Sequence, residues 1–356
     1  MKKTLVILAA LLASLSVFAN TSIKGDDPCI LYIGRTVAAD GVCSFDWSGV
    51  TAVVTFEGTC LSVQAEDSFK NEYNLWIDKE IGPRADKVLK LGPDVVLAEN
   101  LTAGRHFAVI QKRTEGEQGL ATIKGFTTDG TFLPSRSLRE RRIEFIGDSY
   151  TCGYGTESLS KDEPFKPETE NCNLAYAEII GRFFDADVQL VSHSGRGVVR
   201  NYAGKAPEEV MTNKYRRSFD CSEGPEWDKD DFDPAIVVIY LGTNDFSTGK
   251  HPRLKDWCKG YGVLLRDVRR LHPGVPILCV ASKADVLLGD YVRAAVEKAG
   301  MENVFWTSIQ RKAHNSDSEL GASHHPNYEG QRKVASLMIP YVSTITGWPM
   351  AHRVVE

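Results

Sequence analysis

The sequence has few of the features that would indicate a metal, a nucleic acid or a membrane as its partner. Its eight cysteines include no Cys-x-x-Cys pair, and none has the spacing to histidine that is typical of zinc sites. It has no dense run of lysine or arginine, and its formal net charge is -5 at pH 7, which argues against nucleic acid or an anionic membrane. We therefore predict no metal, no cofactor and no nucleic-acid partner, and we expect a neutral or small ligand.

An apolar stretch that could enter a membrane occurs at the start of the chain. Lys2 and Lys3 precede an apolar run over residues 5–18, and Ala19 offers a small residue for cleavage. This pattern predicts a signal peptide over residues 1–19 and an exported protein, either secreted or periplasmic. A membrane anchor is the alternative, but the run is shorter than the ~20 residues that span a bilayer. No later stretch is long and apolar enough for membrane insertion.

An exported protein can form disulfides, and the cysteines leave several pairings open. The candidate pairs are Cys152 with Cys172 and Cys221 with Cys258. Cys279 lies within the apolar run "PILCVAS" and is predicted to be a buried free thiol. Because the number of cysteines is even, a free Cys279 implies at least one further unpaired cysteine.

Residues 20–138 have the pattern of a β-sandwich. Apolar residues alternate with polar ones in short segments such as "YNLWIDKE" and "RHFAVIQKR", and turns rich in Gly, Asp and Asn separate these segments. Alternation with a period of two indicates strands that bury one face. We predict a jelly-roll-like sandwich for this part of the chain.

Residues 139–356 have a different pattern, in which continuous apolar strands alternate with amphipathic helices. The predicted strands are 142–147, 188–192, 235–242, 276–282 and 303–309, and the predicted helices are 173–184, 254–271, 290–299 and 328–344. Strands buried on both faces and separated by helices indicate an α/β domain with a five-stranded parallel sheet, of the flavodoxin-like kind. In such a sheet the ligand lies beyond the carboxyl ends of the strands.

Residue types that perform acyl transfer occur at this edge. They are Ser149 after the first strand, Gly195 and Gly197 after the second, Asn244 after the third, and the pair His324 and His325 before the last helix. A serine becomes nucleophilic when an imidazole takes its proton, and the oxyanion that then forms needs fixed donors. The amides of Ser149 and Gly195 and the side chain of Asn244 can supply three. The alternative role for Ser149 is a helix cap, although the adjacent Asp148 can fill that role.

Four short motifs carry a resemblance to a known family. "GDSYT", "SGRG", "GTND" and "HPN", in this order, resemble the four blocks of the SGNH, or GDSL-like, hydrolases. The segments "FDWSGVTAVVTFEGTCLSVQAE" and "LTAGRHFAVIQKRTEGEQG" resemble the N-terminal sandwich of carbohydrate esterase family 2. The chain contains no G-x-S-x-G elbow, so the α/β-hydrolase fold is disfavoured.

The resemblance implies a role for each residue of the motifs. Ser149 is the implied nucleophile, Gly195 and Asn244 are oxyanion donors beside the Ser149 amide, and His325, which precedes Pro326, is the general base. His324 takes a position where members of the family often carry an aromatic that contacts the sugar. Tyr202 resembles an aromatic of the substrate cleft, although a tyrosine beside a loop is as often a packing residue.

The last motif departs from the family pattern. The acid that usually precedes the histidine, in Asp-x-His-Pro, is replaced here by Ser323. We therefore expect a Ser149–His325 dyad, with a backbone carbonyl orienting the imidazole; Asp317 and Glu319 remain open as a third member. A metal held by the adjacent histidines is disfavoured, because neighbouring residues rarely point the same way and no carboxylate stands beside them.

The resemblance implies a secreted esterase that removes acetyl groups from plant polysaccharides such as xylan or mannan. One alternative is a lipase or thioesterase of the same superfamily. The other is a carbohydrate-binding protein with a decayed site, which the retained serine, asparagine and histidine argue against and the missing acid leaves open. The expected partner is an acetylated oligo- or polysaccharide, and protein partners are left unknown by the sequence.

Overall fold

The computed structural model describes residues 20–68, 70–137, 139–204, 209–227, 232–247, 250–282, 287–309, 316–350 and 353–356. The predicted signal peptide, residues 1–19, lies outside the described residues. Among the helices that are described, none combines the length and the apolar composition needed to cross a bilayer.

The first part of the chain forms two antiparallel sheets. Its described strands are β1 (Thr21–Lys24), β2 (Ile30–Ile33), β3 (Val37–Ala39), β4 (Val42–Phe45), β5 (Thr51–Gly58), β6 (Leu61–Glu66), β7 (Tyr73–Ile77), β8 (Lys87–Leu89), β9 (Val95–Ala98), β10 (Gly104–Lys112), β11 (Ala121–Thr128) and β12 (Thr131–Leu133). One sheet has the order β3-β4-β11-β6-β9, with β1 also paired to β11, and the other has the order β12-β5-β10-β7-β8, with β2 also paired to β5. The predicted sandwich is confirmed.

The second part of the chain is an α/β layer structure. Its strands are β13 (Arg141–Gly147), β14 (Ala186–Ser192), β15 (Ile236–Tyr240), β16 (Ile277–Ala281) and β17 (Val304–Ser308), and its helices are α1 (Ser149–Cys152), α2 (Tyr176–Phe184), α3 (Met211–Lys214), α4 (Leu254–Leu271), α5 (Leu288–Ala299) and α6 (Tyr328–Thr346). The five strands pair in parallel in the order β14-β13-β15-β16-β17. A short hairpin precedes α6; its two strands, β18 (Leu320–Gly321) and β19 (His325–Pro326), have two residues each. The predicted five-stranded sheet is confirmed.

Alternation along the central strand explains why both faces of this sheet are covered. In β15, Ile236 and Val238 belong to the apolar cluster that includes α2 and α6, whereas Val237 and Ile239 belong to the cluster that includes α4 and α5. Successive side chains of a strand point to opposite faces. A strand with apolar residues at every position is therefore stable only between two helix layers, and this arrangement leaves the carboxyl ends of the strands open for a site.

The predicted disulfides are wrong, because all eight cysteines are free. The Sγ of Cys152 lies 3.3 Å from the hydroxyl of Ser192, and the Sγ of Cys172 lies 3.4 Å from the carbonyl of Lys112. Burial raises the pKa of both thiols, so both stay protonated. Cys279 is fully buried in β16, as its apolar surroundings in the sequence predicted.

The sandwich packs against the α/β layer through buried polar contacts. Arg35 forms a buried ion pair of 3.1 Å with Glu144 of β13. Asp46 accepts hydrogen bonds from the amides of Asp220, Cys221 and Ser222 at 2.5, 2.9 and 3.0 Å. Buried charges of this kind require their partners, because an unpaired charge in the interior is costly. The two parts are therefore joined in one defined orientation.

Candidate active site

The hydroxyl of Ser149 and the imidazole of His325 meet at the carboxyl edge of the sheet. Ser149 begins α1 directly after β13, and His325 lies in the hairpin before α6. The Nε2 of His325 lies 2.8 Å from the Oγ of Ser149. Asp148 caps α1 by accepting a hydrogen bond from the amide of Tyr150 at 3.2 Å, so the cap and the reactive hydroxyl belong to different residues. A serine and an imidazole at this distance are positioned for proton transfer.

The other ring nitrogen of His325 faces backbone carbonyls. Its Nδ1 lies 3.3 Å from the oxygen of Ala322 and 3.2 Å from that of Ser323. The two acids left open by the sequence are directed to lysines: Asp317 pairs with Lys161 at 2.9 Å, and Glu319 pairs with Lys333. The described contacts of the imidazole thus place carbonyls where a triad would place a carboxylate.

Burial sets the protonation of this site. It lowers the pKa of His325 to about 4, although the carbonyls of Ser323 and Ala322 act in the opposite direction. Burial also raises the pKa of Asp148 to about 7, with a contribution from the nearby Asp245. The imidazole is therefore neutral at ordinary pH and can accept a proton from Ser149.

The candidate oxyanion donors Gly195 and Asn244 lie in the segments that follow β14 and β15. Gly195 follows β14 with a φ of +76°, a conformation that favours glycine, and its carbonyl accepts the amide of Tyr202 at 2.7 Å. Asn244 lies in a 3-10 turn after β15 and is buried. Its Nδ2 donates to Asp148 at 3.2 Å and to the carbonyl of Arg196 at 2.9 Å. Donation to a substrate oxygen therefore requires Asn244 to exchange or share one of these two bonds.

Comparison with known proteins assigns the family. The family models for the "Carbohydrate esterase 2 N-terminal" region and for the "GDSL-like Lipase/Acylhydrolase family" match residues 32–135 and 145–333. Over 253 residues the chain is 34% identical to an acetylxylan esterase/glucomannan deacetylase of Cellvibrio japonicus, a match that covers 68% of each chain. The chain belongs to carbohydrate esterase family 2. The family indicated by the sequence motifs is thus confirmed, and the protein is a carboxylic ester hydrolase.

Two further relatives extend the likeness to nearly the whole chain. The cellulase/esterase CelE of Acetivibrio thermocellus is 32% identical over 337 residues, which is 91% of this chain and 40% of CelE. The esterase therefore spans less than half the length of that relative. A family two carbohydrate esterase from Clostridium thermocellum, solved in complex with cellohexaose, matches with a TM-score of 0.81 and 30% identity over 90% of this chain and 100% of that one.

Two carboxylates that the sequence did not predict bind the loop after β14 that contains Gly195 and Gly197. Asp245, fully buried beside Asn244, accepts the amides of Val198 and Val199 at 2.8 Å each. Glu115, from the sandwich, accepts the amide of Ser194 at 2.7 Å. The position of Asp245 within "GTND" was a usable signal. Nothing in the sequence around Glu115 indicates that it lies behind Gly195, because that contact joins two distant parts of the chain.

Of the remaining predicted residues, two lie on the surface and one is structural. Tyr202 is 67% exposed and is tied to Gly195 through its backbone, and His324 is exposed next to His325. Gly197 is needed for packing, since a Cβ there would lie 2.0 Å from the carbonyl of Arg200. Tyr202 and His324 are thus accessible to a ligand from solvent.

Another cluster, with His193 and Asp220 buried and Cys221 exposed, has potential metal ligands and contains an ion-pair network. His193, Asp220 and Cys221 bring their ligand atoms within 4.8 Å of one another. Asp220 lies 2.7 Å from the Nδ1 of His193 and 3.0 Å from the Nζ of Lys214. Burial lowers the pKa of His193, but its hydrogen bonds, of which the one to Asp220 has the largest effect, raise that pKa to about 12. His193 and Lys214 both pair with the buried carboxylate of Asp220, so these contacts fit a structural ion-pair network.

Proposed function

We propose that this esterase is exported and removes O-acetyl groups from plant polysaccharides of the xylan or mannan type through a Ser149–His325 acyl-enzyme mechanism. The observation that carries the proposal is the 2.8 Å contact between the Ser149 hydroxyl and His325. The relative from Cellvibrio japonicus, described as an acetylxylan esterase/glucomannan deacetylase, supports the choice of substrate. The relative solved with cellohexaose supports a β-glycan as the ligand, and residues 1–19 support export.

The proposed mechanism has two halves. The Oγ of Ser149 attacks the acetyl carbonyl carbon while the Nε2 of His325 takes the hydroxyl proton. The oxyanion accepts hydrogen bonds from the amides of Ser149 and Gly195 and from Asn244. When the intermediate collapses, the ester bond to the sugar breaks and the imidazolium returns the proton to the sugar oxygen. Water then attacks the acetyl-serine with His325 again as base, which releases acetate and restores the serine.

Acetate release from defined substrates tests the proposal. The panel is acetylated xylan, acetylated glucomannan and a long-chain acyl ester. We expect acetate from the polysaccharides and little hydrolysis of the long chain. Preference for the long-chain ester would instead identify a lipase or thioesterase. Binding of the polysaccharides with no hydrolysis of any ester would identify a carbohydrate-binding protein with a decayed site.

Replacement of Asn244 by alanine is expected to lower kcat by about 100- to 1000-fold, the loss measured when one oxyanion donor is removed. A donor that acts on the developing charge affects kcat more than KM. Steady-state kinetics on an acetyl ester separates the two constants. A change confined to KM would show that Asn244 only binds substrate.

The pH profile is expected to differ from that of an ordinary histidine. Because only the neutral ring accepts a proton, activity is present above the pKa of His325 and lost as the pH falls through about 4, rather than through the ~6.5 of an unperturbed imidazole. The measurement is kcat/KM between pH 3 and 8. Asp148→Asn is the control for the ionisation of Asp148, because asparagine also caps helices. Asp245, whose pKa burial raises to about 6, is a second nearby acid that titrates in this range. An acid limb near 6.5 that persists both in this variant and in Asp245→Asn would contradict the assignment of the lowered pKa to His325.

A further inference from the structure

Two tyrosine rings contact the imidazole of His325, and a phenylalanine stacks on one of them. The ring centroid of Tyr154 lies 4.2 Å from that of His325, with an interplanar angle of 31°. The ring of Phe165 stacks on Tyr154 with centroids 4.4 Å apart and an angle of 29°. Tyr150 meets His325 in an edge arrangement at 5.6 Å. The imidazole therefore has Tyr154 against one face, and Tyr154 is itself supported by Phe165.

The loop that carries Phe165 also holds the backbone around His325. The carbonyl of Glu163 accepts the amide of Ser323 at 3.0 Å, and the carbonyl of Lys161 accepts the amide of His324 at 3.1 Å. Ser323 and His324 have φ values of 52° and 61°. Two successive non-glycine residues in this region cost energy and persist only where the surroundings impose them.

The turn packs closely against the residue that follows Tyr154. A Cβ added to Gly155 would lie 2.7 Å from the Cβ of Ala322, so only glycine allows this approach. The ion pair between Lys161 and Asp317, 2.9 Å, joins the same two segments at the surface. The position of the Tyr154 ring relative to His325 is thus fixed by contacts on both sides.

The contact of the Tyr154 ring with His325 limits tilting of the imidazole out of its plane. The carbonyl oxygens that face Nδ1 do not limit this motion strongly. The oxygens of Ala322 and Ser323, at 3.3 and 3.2 Å from Nδ1, are acceptors near the long end of hydrogen-bond distances. They favour the tautomer with the proton on Nδ1 but limit tilting of the ring only weakly. A flat ring packed against one face of the imidazole limits that tilt directly.

We propose that Tyr154, supported by Phe165, is a positioning residue that holds His325 in line with Ser149 in place of the orienting acid of a triad. The inference rests on the proposed function, since it assigns Tyr154 a part in the reaction of that site. At a centroid distance of 4.2 Å no water fits between the two rings, so this face of the half-buried imidazole is shielded. Among the described residues, the titratable side chains whose rings contact the imidazole of His325 are Tyr150 and Tyr154. The basic group next to this imidazole is His324.

Two substitutions of Tyr154 test the proposal. Tyr154→Leu removes the flat ring and is expected to lower kcat by about 10- to 100-fold, the scale of a misplacement of about 1 Å, with KM unchanged. The acid limb of kcat/KM is expected to move upward from about 4 towards ~6.5, because water reaches the imidazole. Tyr154→Phe keeps the ring and is expected to retain the wild-type kcat and acid limb.

Two further variants keep the test decisive. Tyr341→Leu, at an exposed tyrosine of α6, is the control for loss of a tyrosine and is expected to leave kcat unchanged. Phe165→Leu keeps Tyr154 but removes the ring that stacks on it. It is expected to lower kcat less than Tyr154→Leu does and to shift the acid limb in the same direction. This variant replaces Tyr154→Leu in the test if Tyr154→Leu does not fold.

Three results would overturn the inference. Wild-type kcat and an unmoved acid limb in Tyr154→Leu would show that the stack does not position the base. A change in KM alone would show that Tyr154 contacts the sugar. Equal losses of kcat in Tyr154→Phe and Tyr154→Leu would assign the effect to the Tyr154 hydroxyl, which lies 3.5 Å from the Oγ of Ser323. Absence of esterase activity in the wild-type protein would instead refute the proposed function, so the two failures are distinguishable.

Discussion

Ser149→Ala is expected to abolish acetyl ester hydrolysis, with a loss of roughly 10⁶-fold, the scale reported for removal of the nucleophile from a serine hydrolase. No other group in the proposed mechanism forms the acyl-enzyme. The measurement is acetate release together with labelling by a serine-directed phosphonate. Labelling is expected to be absent, and acetate release is expected to fall to the small residual rate that oxyanion donors and substrate binding support without a nucleophile.

Folding of Ser149→Ala must be checked separately, because this serine is buried. The substitution removes the hydrogen bond to His325, a loss of about 1 kcal/mol in the free energy of unfolding, and thermal unfolding will measure it. Ser336→Ala is the matched control, since its hydroxyl donates to a carbonyl within the exposed face of α6. Substantial activity in a folded Ser149→Ala protein would refute the proposed mechanism.

His325→Ala is expected to lose nearly as much activity as Ser149→Ala. Residues that act as one unit are strongly non-additive, so the double variant should be no slower than either single one. The measurement is kcat on an acetyl ester for the three proteins. Multiplicative losses in the double variant would show that Ser149 and His325 act independently and would exclude the dyad.

The adjacent histidine provides the comparison for this prediction. His324→Asn is preferable to alanine, because asparagine tolerates the positive φ of this position. It is expected to raise KM for a polysaccharide while leaving kcat on a small acetyl ester unchanged. If His324→Asn abolished turnover and His325→Ala did not, the assignment of the base would be reversed.

Much of the fold could be predicted because it depends on local periodicity. The α4 helix occupies the predicted residues 254–271, since its apolar residues recur at helical spacing over five turns. The α2 helix begins at Tyr176 instead of 173 because Asn171 caps a separate 3-10 turn and Ala175 is extended. The sequence reasoning did not identify β1, a short strand with little burial, whose pairing with β11 requires a distant partner.

The candidate site was predictable in its residue types but not in its supports. Ser149, Gly195 and Asn244 follow successive strands, and a parallel sheet brings such positions to one edge. The sequence distinguished His325 from His324 only by the proline that follows. The contact of Glu115 with the loop of Gly195 joins positions 79 residues apart, and no local pattern encodes a contact at that separation.

Residue types at short, regular spacings were sufficient to predict the five strands of the parallel sheet, the family and the chemical groups available for acyl transfer. Packing between distant segments sets which nitrogen of His325 faces Ser149, which carbonyls take the place of an acid, and how Tyr154, with Phe165 stacked on it, lies against the imidazole. These features are distances and angles between segments far apart in the chain. They are set by how the sandwich, the sheet and the loops pack together, a collective result that no single stretch of sequence contains.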